Sequence, residues 1–560
     1  MTVSPLSGSR DATPRTQVSF LGVPARAISH LSVVGSRSGP HAGRLLAYSQ
    51  GDGASFVPST PFAEGERVEV RASVRSGAAT GVVDDVFVVA EQDPLTSTPE
   101  TIHAGRASEV QSFRSRPDLH PPAVTVTASS PALAPGYEFA APYTGPGQAG
   151  PMILDQSGGL VWFRALPPSE FAANFRVQEY LGNPVLTWWQ GDISVHGFGL
   201  GEGVIANQSY ADIAHVRAGN GLQEDLHELQ LTPQGTALIT AYEPVRCDLS
   251  AVGGPAYSGV TDGVLQEIDV KTGLVMFQWT SLDHVALAES YMAASESSTS
   301  TPFDFFHINS IGLDPDGSLL ISARNTWAVY EIDPRTGAIV WRLGGKRSSF
   351  ALGPGVATAW QHDPRLLPGG AISIFDNGAS PRVHHQSRAI VVSLSSQSRS
   401  ATLAAQFVHP SPLLAESQGN MQALANGDWF VGWGQDPHFS EFSPSGALLF
   451  DAHFPAHTQS YRAFRLPWSA APAEAPAFAF QASGGGAGTV YASWNGATSL
   501  AGWRVLSGAS PSALAAVAQV PRSGFETAIA LPSGAAGADM TVQALDGAGN
   551  VIGTAPTAKL

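Results

Sequence analysis

The sequence is poor in cysteine and in long apolar runs, and each shortage excludes a class of protein. Cys247 is the only cysteine among 560 residues, so no intramolecular disulfide and no cysteine-based zinc site can form. No run of about 18 apolar residues occurs, which argues against a transmembrane helix. The first ten residues lack the charged and apolar regions of a signal peptide. We therefore expect a protein that stays inside the cell, or one whose signal has already been removed from this sequence.

Basic residues are also scarce. The chain has 30 Lys and Arg against 46 Asp and Glu, and a formal net charge of −16. This charge argues against nucleic acid or an anionic membrane as a partner. Lysine occurs only at positions 271, 346 and 559, so any binding of an oxyanion falls mainly to arginine and histidine. Arginine suits planar, bidentate contacts to sulfate or phosphate.

Glycine and proline are abundant, with 59 and 41 residues, which favours a turn-rich all-β protein. The length suits two to four domains. We predict a flexible tail at 1–17, an N-terminal β-sandwich at 18–115 and a fibronectin-III-like or Ig-like β-sandwich at 475–560. The remaining segment, 116–468, is dominated by internal repeats.

Two repeated sequence motifs alternate through 116–468. The first is a strand, a glycine turn and a second strand, and its copies begin at His227, His307, His362 and Gln418. The second is a hairpin with a glycine turn and an aromatic residue near its end, and its copies are 153–162, 267–279, 331–341 and 441–450. Four strands per repeat are typical of a β-propeller, and the segment has room for six blades of about 50 residues. We therefore predict an all-β fold with a six-bladed β-propeller between two β-sandwiches.

Three histidines occupy the same position, the first, in copies of the first repeated motif. The innermost strand of each propeller blade runs along the central channel, so equivalent residues of several blades face one another. We expect His227, His307 and His362 to converge at the mouth of that channel. Arg324 ends the strand antiparallel to the one that starts at His307, and so returns to the same level. Packing alone would favour an apolar residue at this position, so the trio indicates a functional site.

Other residues receive weaker predictions. Tyr242 and Asn377 hold comparable places in their own blades, and are expected near the trio. Isolated histidines such as His438 and His453 are interpreted as structural. Cys247 is interpreted as a small, partly buried residue and not as a nucleophile.

Three imidazoles and a guanidinium allow more than one chemistry. A metal-dependent hydrolase or lyase is one possibility, because three histidines can hold zinc or iron. Nucleophilic catalysis is another, in which a neutral imidazole attacks and neighbouring His and Arg stabilise negative oxygens. A non-catalytic propeller that binds sulfated or phenolic ligands is the third. The His-Glu-x-x-His spacing of zinc proteases is absent.

The repeats carry motifs that resemble one known family. They stand at 115–119, 225–228, 240–242, 266–269, 306–310, 321–324, 341–345, 360–363, 375–377 and 418–420. On these motifs the chain resembles the arylsulfotransferase (arylsulfate sulfotransferase) family, in particular its "arylsulfotransferase 2" branch. The resemblance covers roughly 115–468.

The resemblance implies an activity and a set of roles. It implies transfer of a sulfuryl group from an aryl sulfate to a phenol, without a nucleotide donor or other cofactor, by a ping-pong reaction through a sulfated histidine. His362 would be the nucleophile, His227 the acid or base, and His307, Asn309 and Arg324 the sulfate-binding group. Secretion or another extracytoplasmic location is implied as well. Substrate-binding residues are expected among the remaining polar side chains of the motifs, namely Tyr242, Asn377, Gln418 and Asn420.

Overall fold

The computed structural model describes residues 1–76, 79–93, 98–298 and 301–560. Positions 77, 78 and 94–97 of the predicted N-terminal sandwich, and positions 299 and 300 of the repeat segment, lie outside the described residues. The all-β class is confirmed, because strands form every sheet and core of the described chain. Helices are single turns of 3-10 type, and none in the described ranges is long and apolar enough to cross a membrane. They are Ala25–Ala27, Ala107–Glu109, Ser250–Val252, Leu287–Glu289, Ala294–Glu296 and Pro511–Ala513.

Two four-stranded antiparallel sheets form the N-terminal part. They share one core, to which Phe20 and Phe56 contribute from the first sheet and Val70 and Phe87 from the second. In spatial order the strands are Thr2–Ser4, Val18–Leu21, Gly53–Pro58 and Gly43–Ala47, then Gly39–Pro40, Ile28–Gly35, Arg67–Ser76 and Ala79–Val88.

The prediction of a flexible tail at 1–17 is wrong. Strand Thr2–Ser4 pairs with Val18–Leu21, and Asp11 and Thr16 are buried. The Thr13 hydroxyl donates to the Asn220 carbonyl, which ties the segment to the repeats. The segment is polar, but its polar groups find partners inside the protein, and composition alone does not reveal such partners.

The repeat segment contains, in the described residues, six antiparallel groups of four strands, here called units; the pairing of Gly201 with Glu224 joins the second and third units into one eight-stranded sheet. Each unit starts with an inner strand and continues outwards, and the first unit takes its inner strand from the end of the segment. The first three units are Ala463–Leu466, Tyr137–Ala140, Met152–Leu154 and Leu160–Phe163; Phe171–Tyr180, Asn183–Ile193, Gly199–Ala206 and Asp212–Val216; and Glu224–Leu231, Thr236–Cys247, Ser258–Asp269 and Val275–Thr280.

The last three units follow the same order. They are Ile308–Leu313, Leu319–Ala323, Ala328–Ile332 and Ile339–Gly344; His362–Leu366, Ile372–Asp376, Arg388–Ser395 and Ser400–Phe407; and Asn420–Ala423, Trp429–Gly432, His438–Phe442 and Leu448–His453. Strands Ala351–Leu352 and Thr125–Ser129 add to the outer edges of the fifth and sixth units.

Hydrophobic clusters fill the spaces between neighbouring units. The cluster between the third and fourth units contains Leu265, Trp279 and Ile321, and the one between the sixth and first units contains Phe430 and Met152. Corresponding clusters lie between the other neighbouring pairs. Strands are buried on both faces, since Leu319 and Ile321 pack in one cluster and Leu320 in the next. The units thus pack in sequence, and the last contacts the first.

The C-terminal part also consists of two sheets around one core. The core contains Val490, Trp503, Ile529 and Val542. The Asn495 side chain pairs with the backbone N–H and carbonyl of Phe163, which fixes this part to the first unit. The strands are Ala477–Gly484, Ala487–Ser493 and Glu526–Leu531, then Ala515–Pro521, Gly502–Gly508, Asp539–Leu545, Val551–Thr554 and Ala558–Lys559.

Candidate active site

The three predicted histidines meet on inner strands of neighbouring units. His227 lies within Glu224–Leu231, His307 directly precedes Ile308–Leu313, and His362 begins His362–Leu366. The pairing of each strand with its outer neighbour shifts register beside the histidine. Such irregularities re-aim side chains. The rings of His227 and His307 lie 5.1 Å apart in T-shaped contact.

A cavity of about 430 Å³ opens on these rings. This volume suits a small organic ligand. Its wall combines aromatic, cationic and acidic groups. The lining includes His227, His307, His362, Arg324, Tyr242, Tyr461 and Gln418. The spatial convergence predicted from the repeat phase is therefore present in the structure.

The surroundings of His362 define its tautomer. Its Nδ1 lies 2.7 Å from Asn377 Oδ1 and 3.1 Å from the Trp360 carbonyl oxygen. Asn377 Nδ2 donates to the carbonyls of Ala415 and Gln418, which fixes the orientation of the amide. Both neighbours of Nδ1 are acceptors, so Nδ1 carries the proton and Nε2 carries a lone pair. The Gln418 backbone N–H donates to that Nε2 over 3.2 Å.

The charge state of His362 follows from its burial. The residue is 1% exposed. Burial, and then the Arg324 guanidinium, hold the pKa of His362 well below its usual 6.5. The imidazole is therefore neutral at neutral pH and can act as a nucleophile.

Arg324 brings a positive charge to the cavity wall. Its guanidinium carbon lies 4.8 Å from the centre of the Trp360 ring. It donates to Asn325 Oδ1 and to the carbonyls of Ser380 and Glu416. Burial lowers the pKa of Arg324, but arginine remains charged at any ordinary pH. The group is thus pre-oriented beside His362.

A carboxylate orients each of the other two histidines. His227 Nδ1 lies 2.5 Å from Asp225 Oδ2, and His307 Nδ1 lies 2.5 Å from Asp304 Oδ2. In both, the proton on Nδ1 faces the carboxylate and Nε2 is left for a ligand. Burial lowers the pKa of His227, although Asp225 opposes the shift. For Asp225, His227 outweighs the effect of burial, and the pKa of the carboxyl is lowered.

The sequence analysis missed Asp225 and Asp304 as partners. Both stand two or three positions before their histidine, a spacing that could have indicated an orienting acid. Tyr461 was also missed. Its ring lies between His227 and His362, at 5.3 and 6.3 Å, and its hydroxyl donates to the Asn309 carbonyl. It is far from both histidines in sequence, so no local pattern could have revealed it.

Some of the predicted binding residues line the cavity or contact His362, and the others are buried away from it. Tyr242 and Gln418 line the cavity, and Asn377 orients His362 from behind. Asn309 is fully buried below the cavity and donates to the Gln361 carbonyl. Asn420 lies away from the cavity, where its side chain pairs with the N–H and carbonyl of Ala463 and joins the sixth inner strand to the first.

An ionic network joins residues of several inner strands. Glu228 is fully buried and contacts Arg176 and Arg365 at 2.7 and 2.6 Å and Arg462 at 3.2 Å. Asp363 joins Arg365 and Arg462 from the other side. Burial alone would raise the pKa of Glu228, but the three guanidinium groups lower it far below its usual value. These charges do not line the cavity in the described residues.

The chain belongs to the arylsulfotransferase family. The family model described as "Arylsulfotransferase (ASST)" matches residues 176–455, which is half of the chain and includes all three histidines. Membership implies a sulfotransferase-type enzyme that acts on small aryl substrates. The family expected from the sequence motifs is thus confirmed.

Solved structures give more distant likenesses. A Bacteroides caccae protein of unknown function is 13% identical, with 59% of this chain and 98% of that one covered and a TM-score of 0.34. Virginiamycin B lyase from Staphylococcus aureus is 10% identical, with 66% and 96% covered and a TM-score of 0.29. An auxiliary nutrient binding protein from Bacteroides ovatus is 9% identical, with 84% and 92% covered and a TM-score of 0.26. At these scores the likenesses bear on no functional argument. A search of curated proteins gives no match.

Proposed function

We propose that this protein transfers a sulfuryl group from an aryl sulfate to a phenol by a ping-pong reaction through a sulfated His362. One observation carries the proposal: the buried, neutral His362 has its proton fixed on Nδ1, a single bond from the Gln418 N–H on its Nε2 lone pair, and the Arg324 charge near enough to lower its pKa. That arrangement supplies a nucleophile and a cation for an anionic ester. No metal or other cofactor is needed for the steps below.

In the first half-reaction, the Nε2 lone pair of His362 attacks the sulfur of the aryl sulfate. The nitrogen–sulfur bond forms as the bond from sulfur to the aryl oxygen breaks, and the phenolate leaves with that electron pair. Charge spreads over the three sulfuryl oxygens, as it does in phosphoryl transfer. Arg324 would stabilise these oxygens with its charge, and His307, which Asp304 holds in place, lines the same cavity and would contact the sulfate. Asn377 Oδ1 accepts the hydrogen bond from Nδ1–H and so stabilises the positive charge that develops on the His362 ring.

In the second half-reaction, His227 acts as the base. Its Nδ1–H is held by Asp225, so its Nε2 takes the proton of the incoming phenol. The phenolic oxygen attacks sulfur, the nitrogen–sulfur bond breaks and His362 regains its lone pair. Tyr242 and Gln418 line the cavity and would contact the aromatic substrate.

We further propose that the repeat segment, 116–468, is a six-bladed β-propeller and that the flanking sheets are β-sandwiches, one at 475–560 and one whose start moves from residue 18 to strand Thr2–Ser4. The six four-stranded units and the clusters between them support the propeller, and the two shared cores support the sandwiches. An extracytoplasmic or secreted location is part of the proposal, from family membership.

A metal-dependent hydrolase remains the second candidate, and a non-catalytic binding protein the third. Within the described residues, the group of His, Cys, Asp and Glu side chains close enough to share one ion lies outside the cavity, at His409, His438 and Asp451. The geometry therefore favours His362 as a nucleophile over the trio as a metal site.

An assay with 4-nitrophenyl sulfate and phenol tests the proposed activity. We expect release of nitrophenolate to require phenol and to be matched by formation of phenyl sulfate. Chelator treatment should leave the rate unchanged. Release in water alone would indicate a sulfatase, loss with chelator would indicate metal catalysis, and saturable binding without turnover would indicate a binding protein. Each of these results contradicts the proposal.

The pH profile tests the neutral state of His362. Because burial and Arg324 lower its pKa below 6.5, we expect kcat/KM to stay constant down to pH 6.5 and to fall only at lower pH. Arg324→Gln removes a neighbouring positive charge, so the pKa of His362 rises and the acid limb moves to higher pH. The largest causes that shift the pKa of His227 are its burial, Asp225, His307 and Arg462.

The quantity to measure is the pH at which kcat/KM falls on the acid side. The absolute rate is not informative, because Arg324→Gln also weakens sulfate binding and lowers that rate. Arg347→Gln is the matched control, because the Arg347 side chain is 63% exposed. This variant should leave both kcat/KM and the acid limb of the pH profile unchanged. An acid limb that does not move in Arg324→Gln contradicts the assignment.

A further inference from the structure

Two histidines and an aspartate meet outside the cavity, at the boundary between the fifth and sixth units. His438 begins strand His438–Phe442, and Asp451 lies on the adjacent strand Leu448–His453. His409 follows strand Ser400–Phe407 of the fifth unit. One nitrogen of each histidine and one carboxylate oxygen lie within 4.8 Å of one another. The proposed sulfuryl transfer uses none of these groups.

The distances from the two histidines to the Asp451 carboxylate are longer than those of a strong ion pair, and the three candidate ligand atoms lie within 4.8 Å of one another. His409 Nε2 lies 3.3 Å from Asp451 Oδ1, and His438 Nδ1 lies 3.4 Å from Oδ2. Charge-assisted N–H···O bonds are shorter, at about 2.7–2.9 Å. Two ligands bound to one tetrahedral Zn²⁺ at about 2.0–2.1 Å are about 3.3–3.4 Å apart. For an octahedral ion of similar bond length they would be nearer about 3.0 Å apart.

Ser411 contacts His409 Nδ1 through both of its backbone polar groups. The Ser411 N–H donates to Nδ1 over 3.1 Å, and the Ser411 carbonyl oxygen lies 2.9 Å from the same nitrogen. Without an ion, Nδ1 accepts from this N–H, and the proton on Nε2 faces Asp451 Oδ1. When Zn²⁺ takes the place of that proton, Nδ1 becomes protonated and donates to the Ser411 carbonyl. A histidine whose other N–H binds a backbone carbonyl is the usual arrangement around zinc.

The carboxylate is held in place as well. Ser440 Oγ donates to Asp451 Oδ1 over 2.7 Å, and Thr127 Oγ1 donates to Oδ2 over 2.5 Å. The Ser440 hydroxyl in turn accepts the Trp433 indole N–H over 3.0 Å. These bonds fix the carboxylate beside the two imidazoles. Outer partners of this kind orient metal ligands.

We propose that His409 Nε2, His438 Nδ1 and Asp451 bind one Zn²⁺, with water as the fourth ligand. The His438 side chain is 22% exposed, so water and the ion can reach the site from solvent. Two neutral imidazoles and a carboxylate are ligands that zinc accepts. The proposal does not depend on the reaction at His362.

The site is positioned to stabilise a segment of the cavity wall. His409 starts a loop that leads to Glu416, whose carbonyl accepts a hydrogen bond from Arg324, and to Gln418, whose N–H reaches His362. Bound zinc would tie the start of this loop to strands of the sixth unit. It would thereby order residues that hold the nucleophile.

Titration of tag-free, chelator-treated protein with Zn²⁺ by calorimetry tests the proposal. We expect one site per chain and an increase of the thermal midpoint with zinc. His438→Gln should weaken binding by about 100-fold or more, since it removes one of three protein ligands. Because the His438 side chain is partly exposed, this variant is expected to fold, and circular dichroism in chelator checks that it does. Co²⁺ in place of zinc should give the intense visible absorption of a tetrahedral ion.

His215→Gln is the matched control. His215 also faces a carboxylate, Glu202 at 2.9 Å, but has no third ligand in the described cluster. This variant should bind zinc as the unaltered protein does. Absence of binding to the unaltered protein, or equal binding by His438→Gln, would overturn the proposal. Loss of binding in His307→Gln with binding retained in His438→Gln would place the ion at the cavity instead, and would overturn it too.

Discussion

His362→Asn is expected to lower kcat/KM for aryl sulfate by at least about 1,000-fold, because it removes the group that takes up the sulfuryl moiety. Quenching the enzyme with donor alone should leave a mass increase of about 80 Da, the mass of SO₃, on the peptide that carries position 362. The variant should show no such adduct.

His385→Asn is the control for this substitution. His385 lies in the same unit, is exposed and does not line the cavity. It should retain full activity and the adduct. Thermal unfolding of both variants separates loss of chemistry from loss of fold. Near-normal turnover by a folded His362→Asn protein, or an adduct on a peptide carrying His227 or His307, would contradict the nucleophile assignment.

The repeats made much of this site predictable. His227, His307 and His362 share a phase, so a regular architecture alone brings them together, and the structure places all three at one cavity. Arg324 was predictable for the same reason, because it ends the strand that pairs with the one after His307. Repetition thus converts sequence spacing into spatial proximity.

What could not be predicted depends on single contacts between distant segments. Asn420 stands two residues after Gln418, which holds the repeat position of the histidines, yet its side chain binds Ala463 and joins the sixth inner strand to the first. Tyr461 comes to the cavity only through that same closure. His409 and Asp451 come from two different units, so no fixed spacing in the sequence relates them and no metal-binding motif predicts their contact. Residues 1–17 become ordered only by pairing with a strand of their own sheet and by contacts to the repeats.

The ionic network sets the largest expected effect on stability. Glu228→Gln should reduce the free energy of unfolding by about 3–5 kcal/mol, because removal of one partner leaves buried guanidinium groups without compensation. Arg365 and Arg462 retain Asp363, but Glu228 is the carboxylate that Arg176 contacts among the described ion pairs. Denaturant unfolding, followed by tryptophan fluorescence, measures the change.

The same network predicts how stability varies with pH. The folded pKa of Glu228 is depressed far below its usual 4.5, so its contribution is fully present above pH 4.5 and is lost as pH falls towards the folded pKa. Unfolding of the unaltered protein should therefore become easier below pH 4.5, and Glu228→Gln should show less of this dependence. Glu69→Gln is the matched control, since the Arg67–Glu69 pair is exposed and should contribute less than about 1 kcal/mol. If Glu228→Gln and Glu69→Gln unfold alike, the buried charges do not stabilise the ring, and the carboxylate would have to be retained for another reason.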